Sequence, residues 1–180
     1  MGKSAGVTIL LKELFGIVQQ IYDDFEKVSI ASKILGALPE WFGLPESTKA
    51  YIDGCGDKPF WAAFAENKPV GFITLKETSL ATAEVFVMGV LPEYHRARVG
   101  RELYGAFEFF ARGNGYSYVQ VKTVQMGRYP SYDKTNRFYQ AMGFRELECF
   151  PSLWDEWNPC QIYVKYIGNS DEISRISEEA

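Results

Sequence analysis

Residues 83–115, AEVFVMGVLPEYHRARVGRELYGAFEFFARGNG, restrict the fold more than any other part of the chain. Val85 to Leu91 is an apolar run of strand length, rich in β-branched residues, and Pro92-Glu93 breaks it because proline cannot continue a central strand. His95, Arg96, Arg98 and Arg101 then surround Gly100. Beyond them Leu103, Tyr104, Phe107, Phe110 and Ala111 recur at three and four, the period of a helix burying one face, and Gly113 and Gly115 end it. The order is strand, cationic turn, helix. Such a turn presents unpaired amide N–H groups and the positive end of a helix dipole, a setting that favours an anion such as phosphate. A solvated basic turn beside a helix start is the plainer reading of the same residues.

A second motif lies forty residues on, Thr135-Asn136-Arg137-Phe138-Tyr139-Gln140-Ala141-Met142-Gly143-Phe144. Together the two resemble the GNAT superfamily of acyl-CoA-dependent N-acetyltransferases. Val90 to Arg101 is similar to that family's pyrophosphate loop, Q/R-x-x-G-x-G/A, with His95 in the Q/R place, Arg98 in the first glycine place and Gly100 in the second. Residues 138–144 are similar to its F-Y-x-x-x-G-F ending. The resemblance covers roughly Phe60 to Ile167. It implies an α+β (mixed α/β) fold, with a central, mostly antiparallel twisted sheet flanked by helices, and acetyl-CoA as cofactor.

The rest of the chain agrees with one such domain over 1–168, residues 1–15 being an uncertain N-terminal segment and 169–180 a polar tail. In the N-terminal part, Ile17 to Ile21 and Val7 to Leu11 compete for the first strand. Asp23 or Asp24 would cap a helix running to about Leu38. Glu46 to Ile52 reads as a short second helix. Phe60 to Ala65 and Val70 to Leu75 form a hairpin around residues 66–69, and a polar stretch, Lys76 to Ala81, leads into the central strand. Tyr116 to Val124 is the next strand and Tyr132 to Met142 a helix. Phe144 to Phe150 and Ile162 to Ile167 are the last two strands, with a linker over 151–159.

Composition narrows the function. A chain of 180 residues, 47% hydrophobic and 16% aromatic, can bury a core without staples. Its net charge of −4 argues against a nucleic-acid binder and leans toward a cationic or amine substrate. Cys55, Cys149 and Cys160 fit no metal-ligand spacing, and an odd thiol count suits a reducing cytoplasm. No metal is expected, nor a cysteine nucleophile, since the only histidine, His95, belongs to the turn. No apolar run reaches membrane-spanning length. The expected acceptor is a small-molecule or protein amine, and a homodimer stays open.

Candidate site residues follow. In the loop, amides from Arg96, Ala97, Arg98, Val99, Gly100 and Arg101 would wrap a diphosphate, with the cationic side chains adding charge-assisted bonds. By resemblance, the backbone of Met88, Gly89 and Val90 pairs with the pantetheine arm, and Thr135 and Phe138 line the cofactor. Arg98 departs from the family: it either points outward and adds a cation, the reading favoured here, or weakens binding. Tyr132 stands where the family often has asparagine, and Thr135 replaces its alanine. A phenol can protonate a departing thiolate, so Tyr139 is the candidate general acid, against a core tyrosine. Glu84, six residues before Val90 as in histone-type members, is the candidate base, against a carboxylate held by a lysine or an amide. Trp154, Asp155, Glu156 and Trp157, with Trp41 and Phe42, suit an ammonium by cation–π and Coulomb attraction, against tryptophans that cap the core. The rival function is a non-catalytic acyl-CoA binding module.

Overall fold

The computed structural model describes residues 18–168; Val7–Leu11, the alternative first strand, and the polar tail lie outside them. The elements run β1 (Val18–Ile21), α1 (Asp24–Gly36), α2 (Pro45–Asp53), β2 (Phe60–Ala65), β3 (Lys68–Ser79), β4 (Thr82–Val90), a 3-10 turn (Pro92–Tyr94), α3 (Val99–Gly113), β5 (Tyr118–Val124), α4 (Pro130–Ala141), β6 (Arg145–Asp155) and β7 (Asn158–Tyr166). The seven strands follow the order β1-β2-β3-β4-β5-β7-β6. Pairing is antiparallel for β1–β2, β2–β3, β5–β7 and β6–β7, and parallel for β4–β5. This is the mixed, mostly antiparallel architecture expected from the sequence. No described helix is long and apolar enough to cross a membrane.

The described residues divide into two compact units, one holding residues 18–75 with Phe86–Phe107, the other Lys76–Val85 with residues 108–168. In the first unit Asp23 caps α1 by accepting the Glu26 N–H at 2.7 Å. Ile30, Ala31, Ile34 and Leu35 on one face of α1, with Leu38 just past its C-terminus, pack on Phe60, Ala62, Phe72 and Val87. The Phe60 and Phe72 rings stack at 5.0 Å. Gly89 on β4 leaves room for this packing: a Cβ there would lie 2.9 Å from Ile34 Cγ2 and 3.1 Å from Leu38 Cδ1. The β2–β3 turn has only two residues, Glu66 and Asn67, at φ 48° and 61°, the geometry of a tight hairpin turn.

In the second unit β4 pairs with β5 over Thr82–Val85 and Tyr118–Val121. β5 pairs with β7 along its whole length, from Tyr118↔Tyr166 to Val124↔Cys160. Val119, Val121, Phe144 and Tyr163 are buried. The polar stretch after Leu75 and the linker over 151–159 both contribute strand. Residues 76–79 extend β3 with exposed polar side chains, which carry no apolar alternation to reveal them. Residues 151–159 belong to the β6–β7 hairpin. Pro151 is tolerated because β6 is an edge strand whose register shifts between Phe150 and Asp155.

Candidate active site

Pro92 ends β4, and the chain turns through bonds from Tyr94 N–H to Leu91 O (2.9 Å), His95 N–H to Pro92 O (3.1 Å) and Ala97 N–H to Tyr94 O (3.3 Å). Arg96 and Arg98 then both take the left-handed conformation, at φ 64° and 66°. A side chain there costs about 1–2 kcal/mol per residue, and such strain gathers at functional turns. Glu102 N–H bonds Arg98 O at 3.0 Å, so Arg98 caps α3, and the amides of Val99, Gly100 and Arg101 precede the first donor inside the helix. Arg96, Arg98 and Arg101 are exposed, and the ion pairs among the described residues include none of them. The turn therefore offers main-chain donors and uncompensated cations. That donor set fits a diphosphate.

His95 is anchored. Its Nε2 lies 2.8 Å from Val90 O, and since a carbonyl only accepts, Nε2 carries the proton. Its ring meets Trp41 edge-on at 5.9 Å. Trp41 and Phe42 are half-buried beside the α1 core, and Phe42 meets Tyr51 edge-on at 6.0 Å. The structure thus brings Trp41, proposed from sequence for the acceptor, against His95 of the cationic turn. Met88, Gly89 and Val90 form the end of β4 from which that turn departs.

The second unit holds the remaining candidates. Glu84 is buried, and its carboxylate accepts from Lys122 Nζ and Gln120 Nε2 on β5, each at 2.6 Å. Tyr139 is buried on α4, its ring edge-on to Phe138 at 5.3 Å and to Phe144 at 5.5 Å. Burial pushes its phenol well above the ordinary range, so it stays protonated at neutral pH. Thr135 Oγ1 makes a long contact with Ser131 O at 3.5 Å, and Phe138 is half-buried. At the β6–β7 turn, Asp155 accepts from Trp157 N–H, Asn158 N–H and Asn158 Nδ2 at 2.9 Å. The Asn158 amide chiefly holds that carboxyl below its usual range. Trp154, Glu156 and Trp157 are exposed, Trp157 most of all at 70%. The turn thus occupies Asp155 and leaves both indoles facing outward.

Sequence reading overlooked three residues. Lys122 and Gln120 carry no local signal beside the valines that mark β5, since the Glu84↔Gln120 register pair exists only through the parallel pairing of two strands. Asn136 had a visible signal. It stands three residues before Tyr139, hence on the same helical face, and it is fully buried.

The sequence profile described as the Acetyltransferase (GNAT) family matches residues 20–144. No curated protein matches the sequence. Among solved structures, an acetyltransferase from Streptococcus agalactiae aligns at TM-score 0.67 and 19% identity, covering 83% of this chain and 97% of its own. The ribosomal-protein-S18-alanine N-acetyltransferase from Escherichia coli aligns at TM-score 0.66 and 16% identity, covering 86% and 96%. An aminoglycoside 6'-N-acetyltransferase complexed with coenzyme A aligns at TM-score 0.65 and 16% identity, covering 84% and 97%. These likenesses are likenesses of fold. With the profile matching well over half the sequence, the chain belongs to the GNAT acetyltransferase family.

Proposed function

We propose that this protein is an acetyl-CoA-dependent N-acetyltransferase, moving the acetyl group to a primary amine by direct attack in a ternary complex. The observation that carries the reading is the turn from His95 to Arg101, with two left-handed arginines, unpaired guanidinium groups and the start of α3. Amides from Arg96 to Arg101 would hold the diphosphate, and the backbone of Met88, Gly89 and Val90 the pantetheine arm; the family resemblance adds Thr135 and Phe138 to the cofactor contacts. Acetyl-CoA would supply an acyl carbon activated by a thiolate leaving group.

Tyr139 keeps its proton through the physiological range and donates it toward sulfur. The apolar surroundings that raise the phenol would also destabilise a bare thiolate placed beside it, which raises that thiol and partly offsets the shift of the phenol. Glu84 takes the proton of the attacking amine, exchanging its contact with Lys122 to do so. Trp41, Phe42, Trp154, Glu156 and Trp157, with the turn carboxylate Asp155, supply the aromatic and acidic groups that attract an ammonium. Structural neighbours act on an aminoglycoside in one case and on the alanine of a ribosomal protein in another, which supports an amine acceptor. The free thiols Cys55, Cys149 and Cys160 support a cytoplasmic setting, with the chain acting alone or as a homodimer.

The test is thiol release from acetyl-CoA across a panel of polyamines, aminoglycosides, amino acids and peptides, with Tyr139→Phe alongside. We expect turnover on at least one amine, falling about a hundredfold in Tyr139→Phe with cofactor affinity retained. Acetyl-CoA binding with no turnover on any amine would favour a non-catalytic acyl-CoA binding module.

A further inference from the structure

Asn136 is an amide where the helix face calls for an apolar side chain. It is fully buried on α4. Its Nδ2 donates to Val124 O at 3.0 Å and to Tyr132 O at 2.7 Å. Both partners are carbonyls, which only accept, so the donor end of the amide must face them. The other end, Oδ1, is buried with no hydrogen-bond partner. A leucine would fill the same volume without stranding an acceptor, so packing alone does not account for this residue.

The bond to Val124 explains its presence. Gln125 N–H bonds Pro159 O at 2.9 Å, and in a trans peptide the preceding carbonyl points the opposite way. Val124 O is therefore turned away from β7. The β4–β5 ladder has already ended at Val85↔Val121, three residues earlier. Asn136 thus satisfies a carbonyl at the end of β5 that lies beyond that ladder. Asp133 adds a second tie from the same helix, accepting the Gly127 N–H of the β5–α4 loop at 2.7 Å. Tyr139 stands one turn further along α4, on the face that carries Asn136.

We propose that Asn136 is a positioning residue for acetyl transfer: its amide fixes α4 to the end of β5 and so sets where the Tyr139 phenol lies. This rests on the general-acid role proposed for Tyr139. An error of about 1 Å in a proton donor can cost two orders of magnitude in rate, whereas the amides proposed for the diphosphate belong to a different segment, the turn at Arg96 to Arg101.

Asn136→Leu, Tyr139→Phe and the double variant test it, with kcat and KM measured for each and acetyl-CoA affinity measured by calorimetry. Asn136→Leu should lower kcat at least about tenfold while cofactor affinity stays within about threefold. In the Tyr139→Phe background the same change should cost less than about threefold, because the group it positions is gone. Wild-type kcat in Asn136→Leu, or an equal loss in both backgrounds, would overturn the proposal. Full kcat in Tyr139→Phe would remove the general-acid reading and this role with it, an outcome distinct from the other two. Should Asn136→Leu fail to fold, Asn136→Ser, which keeps a shorter donor, goes through the same cycle with the same expected signs.

Discussion

Replacing Arg98 by glycine should separate what the backbone of the anion turn does from what its charge does. Arg98 sits at φ 66°, where an L side chain costs about 1–2 kcal/mol and glycine nothing. Glycine also frees the unfolded chain, which takes back about 0.4–1 kcal/mol. The net expectation is a gain of about 0–1.5 kcal/mol, or about 0–5 °C in Tm for a chain of this size. Binding should move the other way. Removing one exposed cation from a diphosphate contact costs about 0.5–1.5 kcal/mol, a rise of about two- to tenfold in Kd for acetyl-CoA. Arg98→Ala is the control: it loses the same cation but keeps a Cβ in the left-handed region, so its Kd should rise without the gain in Tm. Differential scanning fluorimetry and calorimetry at low and high salt read both quantities, and the wild-type advantage in Kd should shrink as salt screens the cation. A lower Tm in Arg98→Gly, or unchanged acetyl-CoA affinity in both variants, would refute the reasoning.

Other outcomes follow from the same geometry. Gly89→Ala drives a methyl to within 2.9 Å of Ile34, and the overpacking should cost about 1–3 kcal/mol, seen as a lower Tm. Glu84→Gln should lower kcat about a hundredfold or more if the carboxylate is the base. It should also cost about 1–2 kcal/mol of stability, since Lys122 then loses its partner beside a half-buried site. A Tm loss with kcat within about threefold of wild type would make Glu84 a clamp between β4 and β5 and leave the proton to water. Alkaline pH should destabilise the fold. Burial raises Cys55 to about 12, Cys160 to about 11 and Tyr163 to about 12, and raises Tyr139 further. Hydrogen bonding to Glu77 raises Tyr116 to about 12. The folded state holds these protons longer than the unfolded chain, so their stability is complete below the ordinary thiol and phenol values. It is lost as pH climbs from about 9 toward 12. Tm measured from pH 7 to 11 should be level and then fall, and Tyr139→Phe should soften the fall above about pH 10.

Much of the fold was legible because its signals are local. The strand–turn–helix from Thr82 to Gly113 announces itself through Pro92, the arginines and a three-four apolar period, and the β2–β3 hairpin through two β-rich runs. Where the signal is not local, reading stopped short. Residues 76–79 of β3 are polar and exposed, and the bulged β6 carries a proline, so neither shows the alternation of a strand. Among site residues, the anion turn was visible as charge around Gly100, and Tyr139 as part of a helix-ending motif. Asn136 was visible only as a polar residue on an apolar face.

Sequence by itself determined the family, the order of elements and the cationic residue types of the turn between β4 and α3, because proline, glycine and apolar period act over a few neighbours. Tertiary structure alone decided the partners. Glu84 meets Lys122 only because two parallel strands far apart in sequence lie in register, and His95 donates to Val90 only because a 3-10 turn folds the ring back. Arg96 and Arg98 are left-handed although both side chains disfavour it, since the turn between β4 and α3 fixes their φ. Contacts between residues distant in the chain, and strain imposed from outside a segment, leave no mark on the segment's own composition.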